Sequence, residues 1–303
     1  MASETTTIQD GTGQQAAAIV LGLIAVVIFA GTLPATRHAV TELSPAFVTL
    51  GRAALAGLMA IAALAITRSP LPPRRDLLRF AGVAACLTLG FPFLLGLAML
   101  TVPSAHGGVV IAIMPVAVTA CAALFGNEKP GPRFWALSVL GAAIVLVYTA
   151  SHAGWSVRTG DIFLVLGSIV AAIGYTLSGR LARGGGYAGW QVISWALVLA
   201  LPFHLVGTVA VAPAEPPQSI SVMAAFAYLG VFSMFLGFFF FNQAMARGGI
   251  AKIGQLQLIQ PFFTLAIAAV LLGEAIQLDS IVFAILVVVV VAAAQRQQVI
   301  TPT

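Results

Sequence analysis

The sequence predicts an all-α membrane protein: ten spanning helices arranged as two inverted five-helix repeats around a central cavity. Three observations lead there. Of the 303 residues, 60% are hydrophobic and only 8% are charged, against roughly a quarter charged in a soluble domain. The apolar residues fall in runs long enough to cross a hydrocarbon core of about 30 Å. The pattern also repeats, residues 98–128 matching 244–274 without a gap at an offset of 146. So little polar surface excludes a soluble enzyme, a nucleic-acid module and a disordered chain.

The expected spans cover 16–36, 45–67, 77–100, 104–126, 133–150, 161–182, 188–212, 219–245, 250–273 and 278–295. Residues 1–15 form a polar tail without the positive leader of a secretory signal, and 297–303 a short tail at the other end. The breaks carry turn chemistry: Arg68-Ser69-Pro70, Asn127 to Gly131, Gly184-Gly185-Gly186 and Ala214 to Pro217. Two connections are only a few residues long, yet Val102-Pro103-Ser104 and Arg247-Gly248-Gly249 permit a tight reversal. The runs are continuous rather than alternating, which excludes a β-barrel. Cys86 and Cys121 fall inside apolar runs and read as small buried hydrophobes, not as a disulfide framework.

The net charge of +5 reports orientation. With the N-terminus cytoplasmic, the inner loops and helix ends hold Arg68, Arg74, Arg75, Arg79, Lys129, Arg133, Arg180, Arg183, Arg247, Lys252 and Arg296, eleven of the fourteen cations. The outer loops hold Arg37 and Arg158, and Arg52 lies within a span. The excess of inner Lys and Arg places both termini in the cytoplasm.

Within the repeat, ten of 31 aligned positions are identical. Five are alanine pairs, which an alanine-rich chain matches by chance; Pro115/Pro261 and Glu128/Glu274 carry the comparison. A weaker echo at offset 145 joins Gly22, Ile24 and Ile28 to Gly167, Ile169 and Ile173. The repeats are therefore 16–150 and 161–296, with five spans each. A unit with an odd number of crossings delivers its copy upside down. Such inverted repeats recur in secondary transporters, with the solute near the midplane.

Each repeat ends its fourth helix with a mid-span proline followed by Leu-Phe-Gly-Asn-Glu (124–128) or Leu-Leu-Gly-Glu (271–274). On these features the chain, over about 16–296, resembles the EamA-type members of the drug/metabolite transporter superfamily, and among them the YddG-type bacterial amino-acid exporters. The resemblance implies a central cavity gated by helices 3, 4, 8 and 9. It also implies export of small metabolites, foremost neutral or aromatic amino acids, across the bacterial inner membrane by alternating access. Quaternary amines, purines and sugar phosphates stay open as solutes, although a sugar phosphate calls for a pair of deep cations and only Arg52 qualifies.

Several residues stand out as candidates. Pro115 and Pro261 each lie near mid-span and would free the carbonyls of Ile111 and Gln257, as hinges or as packing kinks. Gly90 and Pro92 in helix 3, with Gly230 and Gly237 in helix 8, are softer hinge candidates. Gln257, Gln260 and Thr264 share one face of helix 9, opposite Ile111, Met114 and Val118 at the repeat offset. One wall of a pocket would then be amide-rich and the other apolar, which suits an amino acid: its head toward the glutamines, its side chain toward Met114 and Phe91. The glutamines equally suit bonding between helices. Lys252 and Gln255, on the other face near the inner end, are expected to snorkel. Arg52 would bind a solute carboxylate, snorkel outward or bridge helices. Trp195, opposite it in helix 7, would line the cavity with Tyr175, Trp190 and Ser194.

No span carries a central Asp or Glu, which argues against an intramembrane enzyme and against proton-coupled drug efflux through a buried carboxylate. His38, His106, His152 and His204 are scattered singly and read as loop or packing residues. No metal-ligand spacing and no Gly-x-x-x-x-Gly-Lys-Ser/Thr loop occurs. No cofactor, metal or nucleic acid is expected; the partners are the lipid bilayer and a small-molecule solute.

Overall fold

In hydrocarbon a chain must satisfy its own backbone N–H and C=O groups, and continuous apolar runs do so as helices. The structure, a computed structural model, describes residues 2–102, 107, 111, 113–153, 158–184, 186–215, 217–272 and 278–300. They form α1 (Ala2–Ala30), α2 (Thr32–Ala39), α3 (Pro45–Ile66), α4 (Leu77–Val83), α5 (Phe91–Thr101), α6 (Met114–Phe125) and α7 (Pro132–Ala153). The second half forms α8 (Thr159–Gly184), α9 (Gly189–Ala210), α10 (Ile220–Tyr228), α11 (Phe238–Gly248), α12 (Ile250–Gln255), α13 (Gln260–Leu272) and α14 (Leu278–Gln295).

Among the described residues, seven helical stretches are long and apolar enough to cross a membrane: Gly13–Ala39, Pro45–Ile66, Arg74–Thr101, Thr159–Gly184, Gly189–Ala210, Ile220–Gly248 and Leu278–Gln295. Two shorter apolar helices, Met114–Phe125 and Pro132–Tyr148, lie between them in sequence. Of the span expected over 104–126, residues 104–106, 108–110 and 112 lie outside the described residues, as do Glu274 and Pro103. The outward faces are apolar, with Leu124 82% and Val209 78% exposed, as lipid contact requires.

The first helix differs from expectation. It begins at Ala2, inside the segment read as a tail, and breaks at Gly31 before α2. The break is a close approach: a Cβ on Gly31 would fall 2.5 Å from the Tyr228 hydroxyl, which donates to the Ile28 carbonyl at 2.5 Å.

Two stretches are π-helical, Ala84–Gly90 between α4 and α5 and Leu229–Gly237 between α10 and α11. They occupy corresponding places in the two repeats. The packing shows the same correspondence. Helix α1 packs on α11, and α8, its counterpart, packs on α5, the counterpart of α11. Equivalent helices also pack on each other, α3 on α9 and α7 on α14, and α6 packs on α12, the segment that precedes its own counterpart α13. A two-residue antiparallel pairing of β1 (Lys129–Pro130) with β2 (Val299–Ile300) ties the end of the fourth expected helix to the C-terminal segment.

Candidate functional site

Both repeat prolines open a new helical segment. Pro115 sits in the first turn of α6, after a turn at Ile113. Pro261 sits in the first turn of α13, after a 3-10 stretch at Leu256–Ile259. Lacking an N–H, proline is tolerated in a first turn, where that donor has no helical acceptor. The fourth and ninth expected helices are thus discontinuous beside the proline, and the π-helical stretches end on Gly90 and Gly237. Discontinuous helices of this kind build solute sites in transporters.

A cavity lies where these breaks meet. Its polar wall holds Thr32, Arg52, Tyr175, Ser233, Gln257 and Gln260; its apolar wall holds Phe29, Leu33, Phe91, Leu95, Ile111, Met114 and Phe238. Seven of the eight pocket candidates read from sequence come together here. The volume open to the centre of a water molecule is about 30 Å³, enough for a water or two and far below the roughly 300–1,000 Å³ of a site enclosing a small ligand. The helices are closed around the cavity.

Arg52 is 1% exposed. One Nη donates to Ser233 Oγ at 3.3 Å, and Ser233 shares a 2.9 Å hydrogen bond with Thr32 Oγ1. The Arg52 Nε has no partner among the described residues. An arginine stays charged even when buried, so the cavity holds a cation with an unfilled donor. Gln257 Nε2 donates to the Tyr175 hydroxyl at 3.4 Å, while Gln257 Oε1 is buried without a partner among the described residues. The Tyr175 ring rests on Phe241 and Phe238, centroids 4.9 and 5.9 Å away.

Gln260 is placed differently from its neighbour. Its Nε2 donates to the Phe29 carbonyl at 3.2 Å, and Thr264 Oγ1 donates to the Ala30 carbonyl at 2.9 Å. Both carbonyls lie at the C-terminal end of α1, where the helix leaves them unpaired. Gln260 therefore lines the cavity and also caps a helix.

Two expectations need correction. Trp195 does not line this cavity: α9 lies along α3, and Trp195 is 7% exposed within the hydrophobic core. Trp190 stacks on Phe239, centroids 5.3 Å apart, and Ser194 is fully buried; of the four residues grouped with helix 7, only Tyr175 faces the cavity. Gln255 does not snorkel. It is fully buried and donates to Thr119 Oγ1 at 3.0 Å and to the Pro115 carbonyl at 3.4 Å, joining α12 to α6. An amide with a short stem finds a protein acceptor before it reaches water.

Sequence reasoning missed Ser233, Thr32 and the ring of Phe29. Ser233 had a signal: it is the one hydroxyl between Gly230 and Gly237. Sequence reasoning also gave Glu128 no role beyond marking the repeat. Glu128 is 1% exposed and accepts from the Ile250 and Ala251 amides at 2.7 and 2.9 Å and from Arg183 at 2.5 Å. It thus fastens the first repeat to two helices of the second. Gly249, with φ +91°, makes the reversal that presents those amides. Nearby, Asp76 accepts from Tyr187 at 2.9 Å and Arg79 at 3.0 Å; burial and the Asp76 carboxylate push the Tyr187 phenol up.

The chain is similar to known proteins. A protein of Bacillus subtilis (strain 168) named "Uncharacterized transporter YdeK" is 42% identical over 257 residues, 84% of this chain and 88% of that protein. The "Probable terminal-alkyne amino-acid exporter" of Streptantibioticus cattleyicolor is 28% identical over 264 residues, 83% of this chain and 84% of that protein. A solved crystal structure, 19% identical, has the same fold at a TM-score of 0.73, covering 92% of this chain and 97% of that one. The model of the EamA-like transporter family matches residues 16–150 and again 158–294. With two copies of that module on apolar, lipid-facing helices, the chain belongs to the EamA-like transporter family and is a multi-pass membrane transporter.

Proposed function

We propose that the chain exports neutral or aromatic amino acids across the bacterial inner membrane by alternating access. Ten helices form two inverted five-helix repeats around the central cavity, and both termini are cytoplasmic. The orientation rests on the eleven inner cations. The inversion rests on the odd number of spans per repeat and on the corresponding packing of α1 on α11 and α8 on α5.

One observation carries the solute class: two unfilled polar atoms of opposite kind share a cavity with a continuous apolar wall. Among the described residues, Arg52 Nε is a cationic donor without an acceptor, and Gln257 Oε1 is an acceptor without a donor. An α-amino acid offers a carboxylate to the first and an ammonium to the second, and its side chain suits the wall of Phe91, Ile111 and Met114. The name of the Streptantibioticus cattleyicolor relative points the same way. Loading requires the cavity to widen, and the breaks at Pro115 and Pro261, with the stretches ending at Gly90 beside Pro92 and at Gly237, are the hinges.

The test is a panel of radiolabelled amino acids in proteoliposomes, with and without a pH gradient. Neutral or aromatic amino acids are taken up by the wild type, and Arg52→Gln loses at least ten-fold of that flux. A panel that yields no flux, or an Arg52→Gln variant with wild-type flux, refutes the reading.

A further inference from the structure

A second cavity, about 310 Å³, opens beside Gln15 of α1 and Val299 of β2. Its lining includes Gln15 of α1, Glu128, Arg183 of α8, Arg247 of α11, Lys252 of α12 and Val299 of β2. Three cations therefore face one carboxylate.

That carboxylate is already occupied. Glu128 Oε1 accepts from Arg183 and from the Ile250 amide, and Oε2 from the Ala251 amide. Arg247 and Lys252 have no carboxylate within ion-pair distance among the described residues. Gln15 Nε2 is buried without a hydrogen-bond partner. Gln15, Arg247 and Lys252 thus bring side-chain donors to the cavity, and three cations against one carboxylate leave its charge positive. A ligand that fits presents several acceptors and negative charge.

We propose that this cavity binds a phosphate group, carried by an acidic phospholipid headgroup or by a soluble phosphate. A phosphate has oxygen acceptors on every side, so one group can meet Arg247, Lys252 and Gln15 from three separate helices. A halide offers the charge without that spread of acceptors. The residues lie in the segments that form the cytoplasmic face in the proposed orientation, where anionic headgroups meet basic pockets between helices. Bound there, the phosphate braces the contact that Glu128 makes between the repeats.

The experiment reads the unfolding midpoint of the purified full chain in two arms. In detergent, sodium phosphate is compared with sodium chloride at equal ionic strength. In nanodiscs, phosphatidylcholine alone is compared with phosphatidylcholine containing phosphatidylglycerol. The site predicts a rise of about 2–4 °C in at least one arm. The rise is lost in Arg247→Gln and in Lys252→Gln and kept in Arg74→Gln, an exposed cation outside the cavity. A rise with phosphate alone identifies a soluble phosphate, and a rise with phosphatidylglycerol alone identifies a headgroup. No rise in either arm, or a rise that survives both cavity substitutions, overturns the proposal. The readout does not involve transport, so its failure leaves the amino-acid reading standing.

Discussion

Arg52 and Ser233 face each other across the two repeats at 3.3 Å, and this is the one hydrogen bond that Arg52 makes among the described residues. A buried cation without a counter-ion costs stability unless something else compensates it. Arg52→Met should therefore leave the unfolding midpoint unchanged or raised while transport falls at least ten-fold. A large loss of stability in Arg52→Met would assign the residue to holding helices together instead.

Gln257 and Gln260 should separate in the same assay. Gln257→Leu removes the unfilled acceptor and only a long 3.4 Å bond to Tyr175, so flux should be abolished with thermal stability nearly intact. Gln260→Leu strands the Phe29 carbonyl, which adds a destabilisation of about 1–3 kcal/mol. Equal stability losses in denaturation of the two variants would contradict this division.

The hinge role of the prolines is read by comparing rate with affinity. Pro115→Ala and Pro261→Ala restore a backbone donor at each helix break and should slow turnover more than they weaken solute binding. Reduced binding with normal turnover per bound solute would mean that the prolines shape the pocket.

Gly31 offers a test of packing alone. A methyl group there meets the Tyr228 hydroxyl at 2.5 Å, so Gly31→Ala should destabilise the fold by about 1–3 kcal/mol. Tyr228→Phe in the same background should recover part of the loss by removing the clashing oxygen. No recovery in a denaturation series would place the strain elsewhere.

Glu128→Gln keeps the shape of the side chain but removes its charge beside Arg183. Arg183 is 23% exposed, so weakening this pair should cost about 1.5–3 kcal/mol, the worth of a hydrogen bond to a charged group. It should also let a membrane-impermeant maleimide reach a cysteine placed at Met114 from the Glu128 side. Unchanged labelling would show that this fastening does not control access.

Much of this site could be read from sequence because deep polar residues are rare in apolar helices. Arg52, Tyr175, Gln257 and Gln260 stand out from their runs, and the offset of 146 set Ile111 and Met114 opposite the glutamines. What stayed hidden depends on helix rotation. Trp195 lies opposite Arg52 in the repeat, but no pattern within helix 7 marks which side meets α3. Gln255 differs from Gln257 by two positions, which is opposite faces of a helix; one found Thr119 and the other the cavity. Thr32 and Ser233 matter through each other, across 201 residues, and neither has a local signature. Glu128 was visible as a repeated letter, but its three partners lie on other segments.

The paired π-helical stretches give this bundle a way to re-aim its walls without bending an axis. A wide turn stores one surplus residue, and moving that surplus along the helix rotates the residues it passes by about 100°. Slippage of a single position at Ala84–Gly90 or Leu229–Gly237 would swing Phe91 or Phe238 out of the chamber like a vane on a shaft.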